Sequence, residues 1–188
     1  MSEVKRFNKL LKPEKTALLV IDIQERILPV INNHQRVVDN TIKLIKGFKV
    51  LGLPIYFTEQ YPKGLGPTTR TILDELGDLK PFDKMFFSCS GAGELFEEFK
   101  RKNLSQIVVC GIEAHVCVQQ TVLDLIENGI QVNLAADAVS SRKEIDYQTA
   151  LERIRHHGVE ATTTESILLE LSNVCATPQF KEITKLVK

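Results

Sequence analysis

Several short runs in this chain are apolar at consecutive positions rather than at alternate ones. Thr16-Ala17-Leu18-Leu19-Val20-Ile21-Asp22 and Gln106 to Ile112 are the clearest. A strand with one wet face alternates polar and apolar residues, whereas a strand apolar on both faces needs cover on both. Segments of helical period lie between these runs. The alternation predicts a parallel sheet sandwiched by helices, with right-handed crossovers.

The remaining elements follow from period and punctuation. Asn32 to Leu51 carries Val37, Val38, Ile42, Leu44, Ile45 and Phe48 near helical spacing, with Gly52 as its C-cap. Pro54 to Thr58 reads as a second strand, and Tyr61 to Gly66 as a loop. Phe82 to Ser88 reads as a third strand and Gly93 to Asn103 as a helix. Ala114 to Asn128 is helical, Gln131 to Ala136 a strand, Ser141 to His157 a helix and Val159 to Thr164 a last strand, with short helices after it.

The 188 residues fit one domain, 1–188, and 43% of them are apolar, enough for a sizeable core. Lys plus Arg and Asp plus Glu number 24 each, so net charge gives no pull toward nucleic acid or an anionic membrane. The runs Lys43 to Lys46 and Lys100 to Lys102 read as solvated helix faces. No stretch approaches the roughly 20 apolar residues of a membrane span, and Met1 to Lys12 does not read as a secretory signal. Cys89, Cys110, Cys117 and Cys175 form no Cys-x-x-Cys pair, so reduced thiols and a cytoplasmic location are the expectation.

Ligands of open parallel sheets bind beyond the carboxyl ends of the strands. Asp22 ends the first strand, Glu59 and Gln60 follow the second, and Asp137 follows the Gln131 strand. The turn Gly111-Ile112-Glu113-Ala114-His115-Val116-Cys117 leaves a central strand for a helix. In that helix's first turn, backbone N–H groups and the helix dipole favour a thiolate at Cys117. Cys110 reads as a core residue, as do Cys89 and Cys175. An aspartate closing an apolar strand is costly to bury unless paired; Asp22 reads equally as a structural acceptor. Lys84 alone would be an ordinary exposed lysine. His34, His156 and His157 read as surface residues and His115 as a pocket wall.

Taken together, Leu-Leu-Val-Ile-Asp22-Ile-Gln, Lys84-Met-Phe-Phe-Ser and Val-Cys-Gly-Ile-Glu113-Ala-His-Val-Cys117-Val resemble the motifs of the isochorismatase-like cysteine hydrolases, in order and spacing, from about Thr16 to about Leu171. The resemblance implies a Rossmann-like three-layer α/β/α sandwich. Its sheet would have six parallel strands in the order 3-2-1-4-5-6. It also implies a catalytic triad of Asp22, Lys84 and Cys117, a cis peptide before Glu113, and an oxyanion hole made by the N–H groups of Glu113 and Cys117. Gln24, Glu59, Gln60 and His115 are the substrate-pocket candidates.

Family nicotinamidases carry a metal-binding Asp-x-His run after the second strand. Here that place reads Thr58-Glu59-Gln60-Tyr61-Pro62, and Glu113 stands where many members have threonine. Both features look like the metal-free branch called isochorismatase domain-containing proteins. The expectation is therefore no metal and no cofactor, a small-molecule substrate, no nucleic-acid or membrane partner, and a homo-oligomer of at least two chains. Ile167, Leu168, Leu171 and Val174 are the apolar stripe expected to join them. A redox thiol protein using Cys117 and a scaffold without turnover are the rival readings; neither Gly-x-Gly-x-x-Gly nor a Walker-type loop supports a nucleotide site.

Overall fold

A computed structural model describes residues 5–188; the reading of Met1 to Lys12 lies partly outside them. The all-apolar runs become the middle of a sheet. Strand β1 (Thr16–Ile21) and strand β4 (Gln106–Ile112) are buried at every position. With β2 (Ile55–Gln60), β3 (Phe82–Lys84), β5 (Gln131–Ser140) and β6 (Glu160–Thr162), they form a six-stranded sheet in the order β3-β2-β1-β4-β5-β6. All its pairings are parallel.

Two apolar layers explain the doubly apolar strands. Ala17, Leu19 and Ile21 of β1 face one way, into a cluster with Phe99, Val122, Leu125 and Ile154. These come from helices α4 (Leu95–Arg101), α5 (Gln119–Glu127) and α6 (Glu144–His156). Leu18 and Val20 face the other way, into a cluster with Leu44, Phe48, Ile72, Leu168 and Ile183. That layer is built by α1 (His34–Val50), α3 (Arg70–Leu76), α7 (Thr164–Ser172) and α8 (Pro178–Val187). The single turn α2 (Pro62–Leu65) completes the helices. No described helix is long and apolar enough to cross a membrane.

Several expectations need correction. Tyr61 to Gly66 is not all loop, since Pro62 opens α2. The third strand stops at Lys84, because the next residues turn their carbonyls toward its ammonium. Helix α3 has no counterpart among the expected elements. The helix expected over Ala114 to Asn128 begins as a π-helical turn at Ala114–Val118. Strand β5 outruns its predicted end at Ala136, because an irregular register against β4 between Val109 and Gly111 carries it on to Ser140. Ile167, Leu168 and Leu171 are buried within the chain's own core and cannot join copies; of that stripe only Val174 is exposed.

Gly111 shows how tightly the centre is built. Its φ is +119°, and a Cβ there would run into the Ile21 backbone of the neighbouring strand. Gly52, at φ +68°, ends α1 as expected.

The core also holds thiols. Cys110 and Cys89 are wholly buried, and burial pushes each up to about 12 from an ordinary 9.0. In the unfolded chain these thiols ionise near 9.0; in the folded chain they stay protonated well above it. Their stability contribution is therefore intact below about pH 9 and is lost as pH rises through the folded value, by ~1.4 kcal/mol per thiol per pH unit. Thermal unfolding from about pH 8 to 11 should show a steeper alkaline loss for the wild type than for Cys110→Ala. Equal slopes would mean that the buried thiol does not couple to folding.

Candidate functional site

The carboxyl edge of the sheet gathers the reactive groups. Ile21 pairs with Thr58 and with Gly111, Gln60 pairs with Lys84, and Ile112 pairs with Ser140. Register alone thus brings Asp22, Thr58, Gln60, Lys84 and Glu113 to one rim. Asp22 leaves β1 at φ +52°, the left-handed region that aspartate tolerates better than most side chains.

Lys84 and Asp22 form a buried ion pair, Nζ to Oδ2 at 2.7 Å, with the two side chains 0% and 4% exposed. Neither oxygen of the carboxylate is idle, since the Thr58 hydroxyl donates to Oδ1 at 2.7 Å. The ammonium also donates to Gln60 Oε1 at 2.7 Å and to the carbonyls of Phe87 (2.9 Å) and Phe86 (3.3 Å). Lys84 is no surface lysine; protein oxygens replace its hydration shell. Burial by itself would push its pKa down, but the Asp22 carboxylate and nearby thiols outweigh this, and the net direction is up. The lysine is therefore a fixed cation at neutral pH.

Cys117 lies in the π-helical turn and is 6% exposed. Its thiol lies close enough to the pair to feel both charges. The sequence predicts a depressed thiol pKa, and this needs correction. Burial is the largest influence and raises it, the Asp22 charge raises it further, and Lys84 opposes them without winning. The resting group is a neutral thiol beside a carboxylate. The Ile112–Glu113 peptide is cis, as the resemblance implies.

The pocket candidates make distinct contacts. Gln24 is fully buried and spends its amide on the main chain, donating to the Gln60 and Gly66 carbonyls (3.0 and 2.6 Å) and accepting from the Gln60 N–H (2.8 Å). Glu59 accepts from the Thr68 N–H at 2.6 Å. Both brace loops. Gln60 holds Lys84 with one end and donates to the Met85 carbonyl with the other, at 3.0 Å. His115 is half-buried, 2.9 Å from the Ser141 hydroxyl through Nδ1. Glu113 accepts from the backbone N–H and the Nε of Arg142, both at 3.0 Å. Asp137 caps α7, accepting from the Thr164 N–H at 2.8 Å. His34, His156 and His157 are exposed.

Two neighbours of the site carry no signal in the sequence. Thr58 reads only as part of a strand. Cys89 reads as plain core, yet its thiol lies 3.8 Å from the Thr58 hydroxyl. Its N–H donates to Thr121 Oγ1, which itself donates to the Cys117 carbonyl at 2.6 Å. Nothing in the sequence separates such a cysteine from any other apolar core residue. Among the described residues no group of three or more His, Cys, Asp or Glu side chains could hold a metal ion.

The family model for the isochorismatase domain matches residues 16–166. The chain belongs to the isochorismatase domain family. It is 41% identical over 179 residues to isochorismatase domain-containing protein 2 of Danio rerio, covering 94% of this chain and 89% of that one. Among solved structures, the MAR1 ribonuclease of Caenorhabditis elegans is 38% identical and superposes with a TM-score of 0.87, covering 94% and 91% of the two chains. The Escherichia coli YcaC product, described as an octameric hydrolase of unknown specificity, shares the fold at 22% identity and a TM-score of 0.83, over 91% and 85%. In this isochorismatase-domain chain, Asp22, Lys84 and Cys117 all fall inside the matched region.

Proposed function

We propose that the chain is a cysteine hydrolase of a small amide or a related C–N or C–O bond. What carries the reading is the buried Asp22–Lys84 pair with the Cys117 thiol close enough to feel both charges. A raised thiol pKa calls for a base that acts during the attack, not for a preformed thiolate. Asp22 takes the thiol proton as sulfur attacks the carbonyl carbon. Lys84 holds the Asp22 carboxylate in place at 2.7 Å and offsets the charge that the sulfur acquires. The N–H groups of Glu113 and Cys117 donate to the developing oxyanion. Asp22 then protonates the leaving group, and later activates water on the thioester. No metal or cofactor is required, and the protein works in the reducing cytoplasm as a homo-oligomer, in keeping with four free cysteines and the octamer of the YcaC relative.

A ribonuclease reading comes from the name of the C. elegans relative. Here the groups in reach suit attack on a carbonyl, and this chain's charges balance. A redox reading gains more, since Cys89, unlike Cys110, lies close enough to act on the Cys117 thiol.

The test is mass spectrometry of purified protein mixed with a panel of small amides and esters, and in parallel with RNA. We expect a mass increase on the Cys117 peptide with an amide or ester, lost in Cys117→Ser and unchanged by EDTA. Cleaved RNA without an adduct would favour the ribonuclease. A Cys89–Cys117 disulfide after peroxide, with no adduct from any amide, would favour the redox protein. Turnover abolished by chelation and restored by zinc or manganese would remove the metal-free claim.

A further inference from the structure

The segment after β3 carries a dense apolar display. Because the Phe86 and Phe87 carbonyls point inward at the Lys84 ammonium, their side chains are turned out. Met85, Phe86 and Phe87 are 68%, 70% and 54% exposed, and Tyr61 nearby is 47% exposed. These are four of the ten large hydrophobic side chains exposed among the described residues. Phe86 covers Gly91, whose missing Cβ leaves room for the ring. Tyr61, Met85 and Phe86 line one surface cavity of about 560 Å³. Single exposed apolar residues are ordinary, but a contiguous patch marks a surface that something covers.

Lys84 also lines this cavity, and two exposed charges beside it indicate what covers it. Lys63 and Asp83 both line it and are both exposed. Among the described residues neither has an ion-pair partner. An apolar ligand would leave both charges unanswered. A two-fold contact sets the same patch against itself, so that Lys63 of each copy meets Asp83 of the other while the aromatic rings meet each other. A net charge of zero adds no overall repulsion between copies.

We propose that this face is the contact between two copies of the chain, related by a two-fold axis, and that the contact steadies the active site. The loop 85–87 supplies two of the four oxygens around the Lys84 ammonium, so fixing its outer side in an interface fixes its inner side against Lys84. The proposal takes the oligomer from the reading above and adds the surface and its link to Lys84.

Charge reversal tests it. Sedimentation velocity at micromolar concentrations would compare wild type, Lys63→Asp, Asp83→Lys, the double reversal and Phe86→Glu, with circular dichroism checking that each is folded. Each single reversal sets like charges face to face and should weaken self-association by about tenfold or more; the double reversal should recover it. Phe86→Glu should yield monomers, in which the rate of Cys117 alkylation differs from that of the wild-type assembly. A double reversal no tighter than the single ones overturns the two-fold contact. A wild type that is monomeric throughout overturns the oligomer and the contact together. Assembly that survives Phe86→Glu assigns the patch to a ligand instead and also overturns the proposal. Equal alkylation of monomer and assembly overturns the link to Lys84 alone.

Discussion

Replacing Lys84 by methionine should lower the free energy of unfolding by about 3–5 kcal/mol. The lysine side chain is wholly buried and its ammonium is surrounded by four protein oxygens. Removing it leaves the Asp22 carboxylate buried with only the Thr58 hydroxyl to answer it. It also strands Gln60 Oε1 and two carbonyls. Asp22→Asn should cost a comparable amount for the converse reason, since an ammonium then loses its counter-charge. The informative variant is the pair Asp22→Asn with Lys84→Met. Breaking a buried pair is expensive chiefly because of the charge left behind, so removing both charges should cost clearly less than the sum of the single losses. Urea unfolding of the four proteins gives the coupling directly. Single costs below ~1 kcal/mol that simply add are the behaviour of an exposed pair, and would contradict the burial described above.

The same pair explains where the sequence is legible and where it is not. Strand β4 reads correctly to the residue because burial on both faces makes Ile107 to Ile112 a run with no polar side chain. Strand β3 reads too long, to Ser88, because Met85, Phe86 and Phe87 look like a buried strand. Their apolarity belongs to an outward face instead, and what turns them outward is the hydrogen-bonding demand of Lys84, which one-dimensional periodicity does not contain. Helix α3 leaves little trace because Arg70–Leu76 is short and offers only Ile72 and Leu76 as buried positions. The irregularity that lengthens β5 is a property of two strands together and so has no signature in either.

The site follows the same logic. Asp22 stands at a strand end and Cys117 in the helical turn that follows one, where a polar or reactive residue beside an apolar run is visible. Gln24 and Glu59 stand there too, but they spend their polar atoms on the loop from Gln60 to Thr68. Composition cannot distinguish a side chain that braces a loop from one that greets a substrate. The thiol pKa is illegible for a related reason. Position at a helix start is readable, whereas burial, which outweighs it here, depends on what the rest of the chain packs over the sulfur.

Alkylation of Cys117 should respond in opposite directions to the loss of its two charged neighbours. Only the thiolate reacts with iodoacetamide, and at a pH well below the pKa, a pKa higher by one leaves about tenfold less thiolate. In the wild type, burial and then Asp22 raise the thiol, so Cys117 should label more slowly at neutral pH than a free thiol and accelerate as pH rises. Lys84→Ala removes the charge that lowers it, and labelling should slow further. Asp22→Asn removes the repelling charge that helps hold the proton on sulfur, so labelling should speed up. Turnover should instead collapse in both variants, because Asp22→Asn has no base and Lys84→Ala has no cation to offset the developing charge. Asp22→Asn thus separates the two readouts, with a more reactive sulfur and a slower enzyme. Cys89 feels the same two charges but is wholly buried, so the labelled peptide must be identified by mass. If both variants slow alkylation together, the two neighbours do not act on the sulfur through their charges, and the proposed division of labour between Asp22 and Lys84 is wrong.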